Sequence, residues 1–173
     1  MTLLISDANI IIDMEEGGIL EQMFQLPETF AVPDVLYNEE LSEQHPELIP
    51  FGLQCMSLQG EGIQEAYRLK QDCIARDAPS LNDLLALMLA KQEDCPLVTG
   101  DMRLRQLTEA QYAGVVELRG TLWLVEAMVR GGILSIEGVE EAYQKMRDGR
   151  RRLPWKEVDK QIERMKAEFG GEG

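Results

Sequence analysis

Leu3-Leu4-Ile5-Ser6-Asp7-Ala8-Asn9 is a short apolar run that stops at an acid. A continuous apolar run of this kind reads as a strand covered on both faces. Ser6, Asp7 and Asn9 stand where strand should give way to helix, and open α/β sheets bind ligands outside the carboxyl ends of their strands. Asp7 therefore either caps the next helix or belongs to a site. A second stretch, Pro96-Leu97-Val98-Thr99-Gly100-Asp101, has the same form: apolar strand, small residue, acid opening a helix.

Working outward, residues 8–24 carry Ile11, Ile12, Ile19, Leu20 and Phe24 at helical spacing, with Gly17-Gly18 splitting the segment into two short helices. Phe30-Ala31-Val32 reads as strand two, and Pro33 suits the first turn of the helix bearing Glu39 and Glu40. His45-Pro46 and Ile49-Pro50 read as loop, and residues 54–58 as a weak third strand. An amphipathic helix is expected over residues 61–75, with Ile63, Ala66, Tyr67, Leu69 and Ile74 on its apolar side.

Ser80 then caps a helix in which every residue from Leu84 to Ala90 is apolar, so it is buried nearly all round. Asp83, three residues after Ser80, makes a variant capping box and places a carboxylate at the mouth of the core. Further helices are expected over residues 101–111, 120–129 and 135–146, and a fifth strand over 114–118, with Met102, Leu104 and Leu107 in the core. Residues 1–149 read as the compact domain and residues 150–173 as a basic linker, Arg150-Arg151-Arg152, followed by a charged helix with few apolar positions. The three arginines grip either RNA or the protein's own acidic surface. Five alternations of strand and helix make the fold class α/β, a three-layer α/β/α sandwich on a parallel sheet, since parallel strands need crossover connections.

The 173 residues carry a net charge of −14 from 17 basic and 31 acidic side chains. Seven of the basic and five of the acidic ones fall in residues 150–173, so residues 1–149 are more acidic than the whole. That charge argues against a generally basic nucleic-acid binder and for a basic partner or carboxylates gathered to bind cations. Cys55, Cys73 and Cys95 form no C-x-x-C motif and are expected reduced and mostly buried. His45 is the only histidine, which excludes sites built on several imidazoles, and its polar surroundings make it incidental. No leader-like segment or membrane-length apolar run is seen, so the expected location is the cytoplasm, away from membranes.

Four acidic positions share one placement. Asp7 and Asp101 follow strand ends, Glu39 or Glu40 lies one to two turns into the helix after strand two, and Asp83 opens the buried helix before strand four. Were strands one and four neighbours, the four would converge on one sheet edge. Carboxylates that close repel. Mg²⁺ or Mn²⁺, which prefers oxygen ligands and shares its sphere with water and phosphate, removes the penalty and activates water against a phosphodiester.

The runs ISDANIIID (5–13), VPDVLYNEEL (32–41), SLNDLLALMLA (80–90) and LVTGDMRLRQL (97–107) resemble the PIN-domain family of ribonucleases, which includes the toxins of toxin–antitoxin pairs. The resemblance covers residues 2–130. It implies a five-stranded parallel sheet of order 3-2-1-4-5 and a Mg²⁺- or Mn²⁺-dependent endoribonuclease. It implies Asp7, Asp83 and Asp101 as metal-site and catalytic acids, with Asn9 and Thr99 as polar helpers. The family glutamate is Glu39 counting from Pro33, or Glu40 by its pairing with Leu41. Implied partners are an RNA substrate, an antitoxin protein and a second copy of the chain in a homodimer. The reading from another class is a PIN-like module that binds a basic protein or RNA partner without cleaving. A haloacid-type phosphotransfer domain fits worse, since it needs Asp-x-Asp where this chain has Asp7-Ala8-Asn9.

Overall fold

The computed structural model describes residues 2–74 and 76–170. Its centre is a five-stranded, all-parallel sheet of order β3-β2-β1-β4-β5. The strands are β1 (Leu3–Ser6), β2 (Thr29–Pro33), β3 (Gln54–Met56), β4 (Leu97–Val98) and β5 (Leu118–Arg119). The order reverses between β1 and β4. Right-handed crossovers that run in opposite directions along a sheet lie on opposite faces. So α1 (Ala8–Glu16) and α6 (Leu81–Glu93) cover the two faces and make the three layers expected.

Burial follows from that sandwiching. Leu4, Ile5, Phe30, Ala31, Val32, Leu97 and Val98 are all buried, as are the residues from Leu84 to Ala90 on α6. On the other face α1 packs with α2 (Leu20–Met23), α8 (Thr121–Arg130) and α9 (Ile136–Asp148). α10 (Trp155–Phe169) lies along α9 and buries Val158 and Met165, so the charged tail has one apolar stripe. Among the described residues no helix is long and apolar enough to cross a membrane.

Several expectations are corrected. The loop at His45 to Pro50 contains a short helix, α4 (Leu48–Phe51), which tolerates Pro50 because first-turn N–H groups have no helical partner. Its end is set by Gly52 at φ 116, in the left-handed region that glycine adopts most readily. α5 (Gly60–Asp72) stops before Ala75, which lies outside the described residues, and Ile63, Tyr67 and Ile74 are exposed; Ala66 and Leu69 carry its packing. The fifth strand does not begin at Gly114. Val115 and Val116 donate to the Tyr112 carbonyl in a turn through Gly114 at φ 77, and pairing starts only at Leu118. Pro33 ends β2 and caps α3 (Asp34–Leu36) from outside it. Met102 is exposed because the N-cap Asp101 starts α7 (Met102–Gln111) at the rim; Leu104 one turn in is buried. The cysteines are free, with Cys55 exposed on edge strand β3 and the others half-buried. His45 is buried, with Nδ1 2.5 Å from Glu15 Oε2.

Candidate functional site

Asp7 is the first residue beyond β1. The register pairs Ser6 with Val98, so the next step sets Asp7 beside Thr99 on the neighbouring strand. Thr99 Oγ1 donates to Asp7 Oδ2 at 2.5 Å and accepts the Asp101 N–H at 3.1 Å. One hydroxyl thus ties the acid after β1 to the acid after β4. Both aspartates are also helix N-caps: Asp7 Oδ1 accepts the Ile10 N–H and Asp101 Oδ1 accepts the Leu104 N–H, each at 3.0 Å. The cap reading holds at both positions, and it is compatible with a site, since a capping carboxylate is held fixed at a strand end.

Asp83 sits at the third position of α6, where its N–H donates to Ser80 Oγ at 3.1 Å. Its side chain is buried. Burial pushes its carboxyl up to about 6; hydrogen bonding to the Ser80 side chain opposes this, and the charges of Asp101 and Glu40 add to it. Burial likewise pushes Asp7 up to about 7, against hydrogen bonds from Thr99 and the Ile10 N–H and with help from the charges of Asp83 and Asp13. The field at Asp83 therefore links it to Asp7, Asp101 and Glu40.

The glutamates lie on a π-helical turn, Tyr37–Leu41, that continues α3. Such wide turns are uncommon and recur at functional sites. Here Asn82 Nδ2 donates to both Glu39 Oε2 and Glu40 Oε2 at 3.0 Å, which gathers the two carboxylates toward the start of α6. Of the two glutamates, Glu40 is the one whose charge adds to that of Asp101 at Asp83. Asn9 is in the first turn of α1, beside Asp7, and its backbone carbonyl accepts Arg151 Nη2 at 3.5 Å.

Among the described residues, no three of these acids bring oxygens within 4.8 Å of one another; Glu15, His45 and Glu47 do meet that spacing, at the other end of α1. The four acids line a sheet edge and do not form a closed cage. That openness and the all-oxygen donor set suit Mg²⁺, which keeps several waters and takes one or two carboxylates plus substrate phosphate.

Asp13 and Asn82 were not singled out from the sequence. Asp13 is buried on α1, where Thr121 Oγ1 donates to Oδ2 at 3.2 Å and Arg151 Nε to Oδ1 at 2.5 Å. Burial raises the Asp13 carboxyl, opposed mainly by the hydrogen bond and charge of Arg151. The one signal for Asp13 was an acid set between Ile12 and Met14 in an otherwise apolar helix face. Of the two roles read for the basic linker, Arg151 performs the second and grips the protein's own acid. Arg151→Ala leaves a buried carboxylate unpaired and is expected to lower stability by about 2 kcal/mol, read as a shift in the urea midpoint at pH 7. An unchanged midpoint would mean that water replaces the guanidinium without cost.

A family model described as a PIN domain matches residues 3–167, well past the 2–130 expected and across α10. No curated protein matches the chain.

Proposed function

The chain belongs to the PIN-domain family, and on that premise we propose that it is a metal-dependent endoribonuclease that hydrolyses single-stranded RNA. The observation that carries the reading is the Thr99 hydroxyl bridge between Asp7 and Asp101, on the adjacent strands where the sheet order reverses, with the charge of Asp83 acting on Asp7 and that of Asp101 acting on Asp83. One or two of Asp7, Asp83, Asp101 and Glu40 would hold Mg²⁺ or Mn²⁺ directly, and the others through bound water. The bound ion would supply a nucleophilic water and stabilise the leaving oxygen of the phosphodiester. Thr99 fixes the rotamers of Asp7 and holds the start of α7. Ser80 and the α6 N-terminus hold Asp83 at the rim. Asn82 orders Glu39 and Glu40, so one can face the ion while the other remains in water.

The test is cleavage of a labelled single-stranded RNA by the purified chain with Mn²⁺ or Mg²⁺, abolished by chelation. Glu40→Gln is expected to slow cleavage roughly 100-fold, the loss typical of one preorganised electrostatic group. Glu39→Gln is expected to slow it far less, since of the two glutamates it is Glu40 whose charge acts on Asp83. The reverse order would move the site acid to Glu39, and no cleavage with either ion would end the nuclease reading.

A finer proposal is that the protein is the toxin of a toxin–antitoxin pair, supported by the family and by the net charge of −14, which a basic antitoxin segment would complement. Overproduction that leaves growth unaffected, with no neighbour-encoded protein co-purifying, would remove that proposal and leave the nuclease untouched.

A further inference from the structure

With 31 acids for 17 basic side chains, this chain has carboxylates enough to engage every arginine. Arg68, Arg119, Arg130, Arg147, Arg151 and Arg164 each have one within 4.0 Å. Arg105 is half-buried and, among the described residues, has no carboxylate partner; its Nη2 makes a single long contact, 3.4 Å to the Thr99 carbonyl. That carbonyl belongs to the residue bridging Asp7 and Asp101, so the guanidinium stands at the rim of the acidic site with most of its five donors unengaged.

The next residues outward continue the line. Arg119 ends β5 beside Val98, and its carbonyl is tied to the site by the Thr99 N–H, which donates to it at 2.9 Å. Arg119 Nε is buried without a hydrogen-bond partner, and the guanidinium carbon lies 4.3 Å from the centre of the Trp123 ring. Trp123 in turn lines a cleft of about 400 Å³ between α8 and α10, with Leu122, Gln161 and two ion pairs, Lys160–Glu157 and Arg164–Glu126, around it. The volume falls within the range of small-ligand sites. From the acids outward the order is therefore free guanidinium, cation-backed indole, then cleft. Single-stranded nucleic acid is bound by such alternation: cations track the phosphates and aromatic faces take the bases.

We infer that the carboxyl edge of β4 and β5 is the track of the RNA strand: Arg105 holds the phosphate next to the scissile one, and Trp123 stacks a neighbouring base in the α8–α10 cleft. This rests on the nuclease reading for the identity of the substrate. Arg119 acts as a positioning residue, since it is spent on the indole and on Glu117. The arrangement also explains how so acidic a chain admits RNA: the attraction is local, and the rest of the surface repels the strand from other paths.

The experiment is fluorescence anisotropy of a labelled 12-nucleotide single-stranded RNA with the full chain carrying Asp7→Asn, so that nothing is cut, over a series of salt concentrations. Adding Arg105→Gln is expected to weaken binding about tenfold and to lower the slope of log K against log salt by about one. Trp123→Ala is expected to weaken binding of the base-bearing strand about tenfold and to leave an abasic strand of equal length unaffected; Trp123→Phe, which keeps the core contact and a stacking face, should restore much of the loss. Arg103→Gln, at an exposed neighbour, should change little. Arg105→Gln and Trp123→Ala variants that bind within twofold of the parent overturn the track, as does a parent that binds no RNA. If the otherwise unaltered chain cleaves RNA with unchanged KM in Arg105→Gln and Trp123→Ala, the nuclease stands and the track falls. If the pattern of losses appears but the unaltered chain never cleaves, the track stands and the nuclease falls.

Discussion

Asp7→Asn and Asp101→Asn are each expected to abolish metal-dependent cleavage of single-stranded RNA, a fall of at least roughly 100- to 1,000-fold, while the fold persists. Both parts follow from the same geometry. Each carboxylate spends one oxygen on a helix cap, to the Ile10 or Leu104 N–H. Asparagine keeps that acceptor and ranks among the best N-caps, so α1 and α7 remain anchored. What asparagine removes is the negative charge with which the carboxylate would hold an ion. The Asp7 change has a further effect, because the Thr99 hydroxyl then meets an amide in place of a carboxylate and the bridge to Asp101 loses its charge-assisted bond. The check is single-turnover cleavage alongside circular dichroism and a melting curve. Undiminished cleavage in either folded variant would sink the assignment of that residue.

The second large effect concerns stability, pH and metal together. The folded protein holds Asp7 up to about 7 and Asp83 up to about 6, both from the ordinary 3.8, chiefly by burial. A raised carboxyl means that the native state binds more protons than the unfolded state in the window between the two values. Stability from these groups is therefore fully present below about pH 4 and is lost as pH rises through 6 and then 7. At about 1.4 kcal/mol per unit, ionising Asp7 costs at most about 4 kcal/mol, and the two losses are coupled and not additive. Metal-free protein should thus melt at a lower temperature at pH 8 than at pH 5, and Asp7→Asn should flatten that dependence. Excess Mg²⁺ or Mn²⁺ should reverse it, since the cation binds the ionised form. It should add about 2.7 kcal/mol at a hundred times Kd, and monovalent salt of equal ionic strength should add less. Asp83→Asn should stabilise the metal-free protein above pH 7 and shrink the metal response. Destabilisation of the metal-free protein with an intact metal response would make Asp83 a helix cap and nothing more.

The residues that were legible in the sequence are those whose role is written locally. Strand ends, N-caps and the all-apolar run of α6 declare themselves within a few positions, and the order of Asp7, Asp83 and Asp101 along the chain matched a known family. The partnership of Thr99 with Asp7 was not readable at that level, because it depends on register between strands about ninety residues apart. The glutamate stayed open between Glu39 and Glu40 because counting from Pro33 and pairing with Leu41 point to different residues, and the turn that carries both is π-helical and shared through Asn82. Arg151 was ambiguous for a related reason. A run of three arginines has the same composition whether it meets RNA or a buried aspartate, and only the path of the chain decides. That path is set by Arg150, at φ 60, after which Arg151 N–H bonds back to the Met146 carbonyl and turns the chain toward α1.

The Asp13–Arg151 pair also puts a clock on the molecule. Its two members are 138 residues apart in the chain, and synthesis at 5–20 residues per second separates their appearance by roughly ten seconds. During that interval every acid of the candidate site has been made, yet the helix that starts at Asp7 carries a buried carboxylate with no counter-charge. Helix α1 therefore gains its guanidinium anchor only after the segment around Arg151 has been made.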